Sequence, residues 1–321
     1  MSTSALTSVR LHGWSVATEL PIVAARSDSP ADITMRLDPA ELDRSRSYGR
    51  TVLDQRPTWD SRLVRAGDGF RYRVDDDYEV AINSAVDDLT VAVGAGRPLD
   101  ALGLVLAGGV LAIASTLRGR SCLHATTVAI GDRAIAVIGP VGAGKTTTAG
   151  LLMSVGATLI GEDVLAPMVA DGVIVAPRGL LELRLRESAA ALSEDIPADR
   201  VRKTVDGRFG VVPARVSQHD RTPIACFVRP RLVAGTVGVT VRELSAGEAF
   251  RELTASPRLE GWRDAAIVEQ EFDLVARLAN AVPVIEVTVA GTDSLSRASA
   301  YSVREAIEPY LGTGISSDRA S

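Results

Sequence analysis

Apolar and polar residues alternate along the first third of the chain, as they do in half-buried β-strands. Residues 9–22 and 33–37 have this strand character. Residues 69–83 (GFRYRVDDDYEVAIN) alternate on both sides of three aspartates, which predicts a hairpin with a solvated turn. The stretch 39–59 is polar and rich in arginine, which predicts a loop or a short helix. We therefore predict a small, mostly β lobe over residues 1–97.

A long apolar run opens the second part of the chain. Residues 101–117 (ALGLVLAGGVLAIASTL) carry no charge, which places the run at the low edge of a membrane span. The run is rich in small residues and is flanked by Asp100 and Arg118. A core helix over residues 98–117 explains these features better than a membrane helix does.

After this helix, strands alternate with glycine turns and helices. The predicted strands are residues 121–130, 134–138, 158–161, 173–176, 181–185, 224–228, 237–244 and 284–289. The predicted helices are residues 147–154, 246–254, 264–280 and 302–310. This alternation predicts an α/β domain over residues 98–311, followed by a disordered tail over residues 312–321.

Composition narrows the class of protein. The 321 residues are 46% hydrophobic and 23% charged, which suits a soluble chain long enough for two domains. The net charge of −5 does not provide the overall positive charge that is typical of nucleic-acid-binding proteins. Cys122 and Cys226 lack metal-site spacing, and the N-terminus shows no secretory signal. We expect buried, reduced thiols in a cytoplasmic protein with no nucleic-acid or membrane partner.

One segment matches the phosphate-binding pattern G-x-x-x-x-G-K-[ST] without a mismatch. Its residues are Gly139, Pro140, Val141, Gly142, Ala143, Gly144, Lys145 and Thr146. A predicted strand precedes it and a helix start follows at Thr147, which is the context that a phosphate loop needs. Lys145 can reach the β- and γ-phosphates, and the Thr146 hydroxyl suits Mg²⁺. The alternative is an ordinary glycine turn.

An acidic pair, Glu162-Asp163, follows Thr146 after sixteen positions and ends a predicted strand. Both carboxylates would project beyond the sheet edge where the phosphate loop lies. Asp163 could hold Mg²⁺, and Glu162 could accept the proton of an attacking hydroxyl or water. The alternative is a solvated turn after a short strand.

Four further candidates have less specific patterns. Strand alternation in LLELRLR puts Glu182 and Arg184 on one face, where they could bind a metal and a phosphate or, equally, face solvent. His124 lies on the strand before the loop, where a lone histidine is more often structural than catalytic. Lys203 joins Arg184 as a cation that could contact phosphate or acceptor substrate.

These features together resemble the HPr kinase/phosphorylase family and its stand-alone relatives from lasso-peptide and other natural-product biosynthesis clusters. The matching segments are Leu123-His124-Ala125, the glycine-rich loop, Glu162-Asp163-Val164 and Leu181-Glu182-Leu183-Arg184. The resemblance implies a P-loop (Walker A) core with a mixed sheet flanked by helices, as in HPr kinase and phosphoenolpyruvate carboxykinase. It also implies homo-oligomers, because members of the family often assemble.

The resemblance assigns a role to each candidate. Lys145 would bind phosphate, Thr146, Asp163 and Glu182 would bind Mg²⁺, His124 would lie against the transferring phosphate, and Glu162 would be the general base. Two departures are visible. The family usually has Asp-Asp where this chain has Glu162-Asp163, and the N-terminal lobe is unlike that of true HPr enzymes, so HPr is not the expected acceptor.

Three functions follow from these assignments. The first is an ATP- and Mg²⁺-dependent kinase that phosphorylates a hydroxyl of a small metabolite or a peptide serine. The second is an ATPase switch that uses water as the acceptor. The third is a non-catalytic nucleotide-binding module, which the Glu162 departure makes conceivable.

Overall fold

The computed structural model describes a mixed α/β chain. It covers residues 6–38, 42, 49–56, 60–74, 77–95, 102–103, 105–187, 189, 192, 196–204, 207–233, 238–290 and 297–312. The chain groups into two compact units, the first formed by Met1–Ser121 with Leu259–Glu271 and the second by Cys122–Arg258 with Phe272–Ser321. The boundaries at residues 97 and 311 stay predictions, and residues 313–321 lie outside the described part.

The first unit contains a nine-stranded sheet within the described residues. Its strands are β1 (Thr7–Leu11), β2 (Trp14–Thr18), β3 (Ala25–Arg26), β4 (Ile33–Leu37), β5 (Thr51–Asp54), β6 (Ser61–Ala66), β7 (Gly69–Val74), β8 (Tyr78–Ile82) and β9 (Asp88–Val93). They lie in the order β3-β1-β2-β4-β9-β8-β7-β6-β5. The β2–β4 and β4–β9 pairs are parallel, and the other neighbours are antiparallel.

The sheet confirms some predicted elements and corrects others. The strand over 33–37 and the hairpin over 69–83 are confirmed, although Asp75 and Asp76 lie outside the described residues. Residues 9–22 form a hairpin instead of one continuous strand, with a turn at His12 (φ 53°) and Gly13 (φ 83°). Positive φ at both turn positions matches the twist of the paired strands. The prediction of a loop or helix over 39–59 was wrong at β5.

The apolar run after the sheet forms a buried helix in its described part. A π-helical turn over Leu106–Val110 leads into α1 (Leu111–Leu117), and residues 98–101 and 104 lie outside the described residues. The side chains from Leu111 to Thr116 are all buried, as a core helix requires. In the part of the chain that the structure describes, no helix is long and apolar enough to cross a membrane.

The second unit contains two described sheets and most of the helices. The larger sheet consists of β10 (Ala125–Ile130), β11 (Arg133–Ile138), β12 (Thr158–Gly161), β13 (Met168–Ala170), β14 (Val173–Pro177), β18 (Arg221–Val233), β19 (Val239–Glu243) and β20 (Val284–Ala290). The smaller sheet consists of β15 (Leu183–Leu185), β16 (Val201–Lys203) and β17 (Phe209–Val211). The helices are α2 (Lys145–Ser154), α3 (Ala246–Thr254), α4 (Ala265–Ala281) and α5 (Arg297–Leu311). The first seven residues of α4 group with the first unit.

The larger sheet is mixed and has helices on both faces. Its centre is parallel, with β18 between β11 and β20, while β10 joins β11 and β12 in antiparallel pairs. One face packs against α3 and the later part of α4 through Ala249, Leu253, Val275 and Leu278. Helix α2 packs against α5 and against β10 and β11. The segment between β11 and α2 follows Ile138, the buried last residue of β11.

Several expectations for this unit are confirmed. Strand β12 and helix α3 have the predicted bounds, and α3 begins with a capping box formed by Ser245 and Glu248. Both cysteines are buried and free, and burial raises the pKa of Cys226 to about 12. The strands β13, β16 and β17 were not predicted; each is three residues long.

Candidate functional site

The glycine-rich loop spans residues 139–144 between β11 and α2. Gly139, Gly142 and Gly144 have φ values of 133°, 87° and 92°, a region that side-chain-bearing residues rarely adopt. A Cβ at Gly139 would lie only 3.1 Å from that of Ala143, so the loop is also tight. Helix α2 begins at Lys145, directly after the left-handed Gly144. This geometry collects backbone N–H groups at a helix N-terminus, which is a favourable environment for anions.

Lys145 folds back over the loop that precedes it. Its Nζ donates to the carbonyl oxygens of Gly139 at 2.7 Å and Pro140 at 3.0 Å. The residue is only 7% exposed, and this burial lowers the pKa of its ammonium group, against the opposing effect of Glu162 and Asp163. A buried cation therefore lies inside the curve of the loop.

Glu162 meets the first turn of α2. Thr146 Oγ1 donates to Glu162 Oε1 at 2.8 Å, while Oε2 is buried and has no hydrogen-bond partner among the described residues. Glu162 as a whole is only 5% exposed. Burial raises the pKa of Glu162 to about 7, although the hydroxyls of Thr126 and Thr146 oppose the rise. The carboxyl group is therefore poised to exchange a proton near neutral pH.

The backbone fixes Glu162 at the end of β12. Its N–H donates to the Leu180 carbonyl at 3.0 Å, and Gly179 N–H donates to Ile160 at 2.9 Å. Gly161 and Gly179 lie so close that a Cβ on Gly161 would be 2.9 Å from the Cα of Gly179. Two glycines thus allow the chain segments to approach and hold the acidic pair near the loop.

Asp163 adopts a left-handed backbone conformation, with φ at 71°. Its Oδ1 lies 3.4 Å from His124 Nε2, and its Oδ2 accepts from Arg258 Nε at 3.1 Å and Nη2 at 2.7 Å. Burial alone would raise the pKa of Asp163, but Arg258 and His124, with a smaller effect of Arg184, lower it to about 2. Asp163 is therefore ionised wherever the protein is folded near neutral pH.

Two backbone segments deliver His124 and Arg258 to Asp163. His124 N–H donates to the Ser256 carbonyl, and Arg258 N–H donates to the Cys122 carbonyl, both at 2.9 Å. Burial lowers the pKa of His124 to about 4, helped by Lys145, Arg258 and Arg208 and opposed by Asp163. The imidazole is therefore neutral at pH 7. Arg258 was not predicted, because it lies 95 positions after Asp163 and in no recognisable motif.

The remaining predicted residues are placed less closely. Glu182 is 1% exposed and accepts two hydrogen bonds from Arg202, at 3.0 and 2.9 Å. Gly210 makes room for it, since a Cβ there would be 2.8 Å from Glu182 Oε1. Arg184 is half-buried and its charge acts on Asp163. Lys203 is exposed on β16, and no contact within the described residues joins it to the acidic pair.

Thr146, Asp163 and Glu182 are the predicted ligands of a metal ion. Within the described residues, no three His, Cys, Asp or Glu side chains cluster in a way that could hold a metal ion. Mg²⁺, however, commonly takes only one or two carboxylates from the protein and completes its shell with water and phosphate oxygens. The Thr146 hydroxyl beside the acidic pair fits that pattern, while Glu182 is engaged by Arg202. The assignment of Thr146, Asp163 and Glu182 to Mg²⁺ stays a prediction.

Comparison with known proteins gives a distant similarity at the level of structure. No protein-family model matches the sequence, and no curated protein matches it. Among solved structures, the chain is similar to the Hpr(Ser) kinase/phosphatase from Coxiella burnetii, with a TM-score of 0.32 and 11% sequence identity. The match covers 60% of this chain and 100% of that one.

Proposed function

We propose that this protein is a kinase that transfers the γ-phosphate of ATP to a hydroxyl group of a small metabolite or a peptide serine. The observation that carries the proposal is the 2.8 Å hydrogen bond between Thr146 and Glu162. It joins a buried carboxyl group to the first turn of the helix that follows the glycine-rich loop. Phosphoryl transfer requires a phosphate cradle and a proton acceptor side by side, and this contact supports that arrangement.

The phosphates would bind along residues 139–147. Their backbone N–H groups at the start of α2 suit phosphate oxygens, and Lys145 would exchange the carbonyls of Gly139 and Pro140 for them. Thr146 and Asp163 would hold Mg²⁺, which supplies charge neutralisation when it is bound. The site also carries the positive charges of Lys145 and Arg258, with a contribution from Arg184, which suit a polyanionic substrate.

Glu162 would act as the general base. Thr146 fixes Oε1, so the unpartnered Oε2 is the atom that would accept the proton of the acceptor hydroxyl. The hydroxyl oxygen then forms a bond to the γ-phosphorus, the bond between this phosphorus and the β–γ bridging oxygen breaks, and ADP leaves. Neutral His124, held beside Asp163, would lie against the transferring group.

Burial of Glu162 also supports a second function, an ATPase switch. The carboxyl group of a residue that is only 5% exposed is reached more easily by water than by a bulky acceptor. The same base would then activate water, and free phosphate would form without an acceptor. The two functions differ in product and can be separated by one experiment.

The test follows the γ-phosphate of Mg-ATP by ³¹P NMR, with and without a pool of host small molecules and peptides. We expect a new phosphoester signal that requires the pool. Lys145→Ala should abolish nucleotide binding and the signal. Glu162→Gln should keep nucleotide binding but slow transfer by ~10²–10⁴-fold, the usual cost of losing a general base.

The exposed Arg251→Gln variant serves as a control, because it removes one charge from α3 without touching the site. Free phosphate without acceptor would favour the ATPase switch. A transfer rate in Glu162→Gln equal to wild type would remove Glu162 from the mechanism. Tight nucleotide binding with no turnover under any condition would contradict both catalytic functions.

A further inference from the structure

We infer that Arg258 is a positioning residue that competes with a divalent cation for the carboxylate of Asp163. This inference rests on the proposed function, because it concerns the same acidic pair. It adds a residue that no sequence motif identifies and gives it a defined effect on metal affinity.

The contact geometry carries the argument. Arg258 Nε and Nη2 both donate to Oδ2 of Asp163, at 3.1 and 2.7 Å. A carboxylate oxygen has two lone-pair positions, so these two donors occupy both of them. The other oxygen, Oδ1, lies 3.4 Å from His124 Nε2. A cation that approaches Asp163 therefore meets one oxygen already saturated by a guanidinium group and one adjacent to an imidazole.

The backbone shows that this contact is built into the fold. Segment 256–258 is hydrogen-bonded to segment 122–124 at both ends, from His124 to Ser256 and from Arg258 to Cys122. Leu123 forms a β-bridge to Pro257 on one side and to Leu165 on the other. Leu165 lies close in sequence to Asp163. His124, Asp163 and Arg258 are thus held on adjacent, paired segments. Side chains of Arg258 and Asp163 are 21% and 24% exposed, so solvent screens their attraction only partly.

Competition has a consequence for the reaction. When a cation takes Asp163, the guanidinium group loses its carboxylate partner while its backbone remains fixed beside the site. The anions then nearest to it would be the phosphate groups held by the glycine-rich loop. Arg258 would thereby contact phosphate only after the metal side of the site is filled, which couples the two binding events.

The experiment measures Mn²⁺ binding by electron paramagnetic resonance, on the full chain without nucleotide. Arg258→Gln and the apolar Arg258→Met should both tighten Mn²⁺ binding by about tenfold. Arg258→Lys, which keeps a charge next to Asp163, should restore an affinity near that of wild type. Arg251→Gln is the matched control and should leave Mn²⁺ affinity unchanged.

Asp163→Asn in the Arg258→Gln background identifies the site. Loss of the tightened binding in this double variant supports the inference, whereas tight binding that survives Asp163→Asn overturns it. Unchanged or weaker Mn²⁺ binding in folded Arg258→Gln or Arg258→Met also overturns it. Binding of a fluorescent ATP analogue in the presence of Mg²⁺ is measured in parallel. Its absence would count against the proposed kinase while leaving the Mn²⁺ result to decide the role of Arg258.

Discussion

Glu162 links the candidate chemistry to stability, because its carboxyl group is buried with one oxygen unpartnered. Burial raises its pKa from 4.5 to about 7, so the folded state binds the proton more tightly than the unfolded state does. The stabilising contribution is therefore complete below pH 4.5 and is lost as the pH rises through about 7. The shift corresponds to about 3 kcal/mol.

Glu162→Gln tests this linkage in a buffer that contains a chelator. We expect the variant to match wild type at pH 5 and to be more stable by about 3 kcal/mol at pH 8, measured by denaturant unfolding. The exposed Glu305→Gln variant on α5 should show the pH dependence of wild type. If the difference in unfolding free energy between Glu162→Gln and wild type stays the same from pH 5 to 8, the raised pKa of Glu162 is contradicted.

The sequence predicts the residues of the loop and the acidic pair, because motif and spacing are local properties. It does not predict their partners. Arg258 reaches Asp163 through pairing of segments 256–258 and 122–124, and Glu182 is bound by Arg202 from β16, which is separated from β15 by β17. Both arginines come from segments without a motif, and a single chain carries no signal for such tertiary pairing.

Whether a helix or strand could be predicted depended on its length and on glycine or capping residues at its ends. Strand β12 and helix α3 have the predicted bounds, because each is delimited by glycine or by a capping residue. Strands β16 and β17 are three residues long, too short to show a period. Strand β5 was missed because its four residues lie in a polar, arginine-rich stretch and are too few to show a period. The turn at His12 was missed because histidine is not the usual residue for positive φ.

The close approach of Gly161, at the end of β12, to Gly179 can be tested by substitution. Gly161→Ala would place a Cβ 2.9 Å from Cα and 3.1 Å from N of Gly179, both backbone atoms that have no rotamer to change. We expect a loss of about 2 kcal/mol in unfolding free energy, in the range of overpacked cores. Gly247→Ala in α3 is the control, since nothing lies within 4 Å of its Cβ and alanine favours helix. Equal stability of the two variants would contradict the close approach.

One segment late in the chain belongs to the first of the two compact units. Leu259–Glu271 groups with the N-terminal residues although 137 residues of the other unit separate them in sequence. Its contacts explain this, because Asp54 N–H donates to Gly261 at 3.1 Å, Arg263 N–H donates to Val52 at 2.8 Å, and Leu53 bridges to Trp262. The segment therefore acts as a further edge partner of β5, which a boundary drawn at residue 97 does not anticipate.

Gly261→Ala should expose this assignment in the intact chain. Gly261 has a φ of 92°, and a Cβ there would lie 2.1 Å from the carbonyl oxygen of Asp54. Because backbone must move, we expect a cost of at least about 2 kcal/mol, confined to the unit that contains β5. Hydrogen–deuterium exchange should show faster exchange in β5 and β6, while β10, β11 and β18 keep their protection. Gly172→Ala is the matched control, since it has a φ of 78° with nothing within 4 Å and so carries the strain of positive φ alone, in the other unit. If Gly261→Ala instead accelerates exchange in β18 and leaves β5 and β6 protected, the late segment does not stabilise the N-terminal sheet.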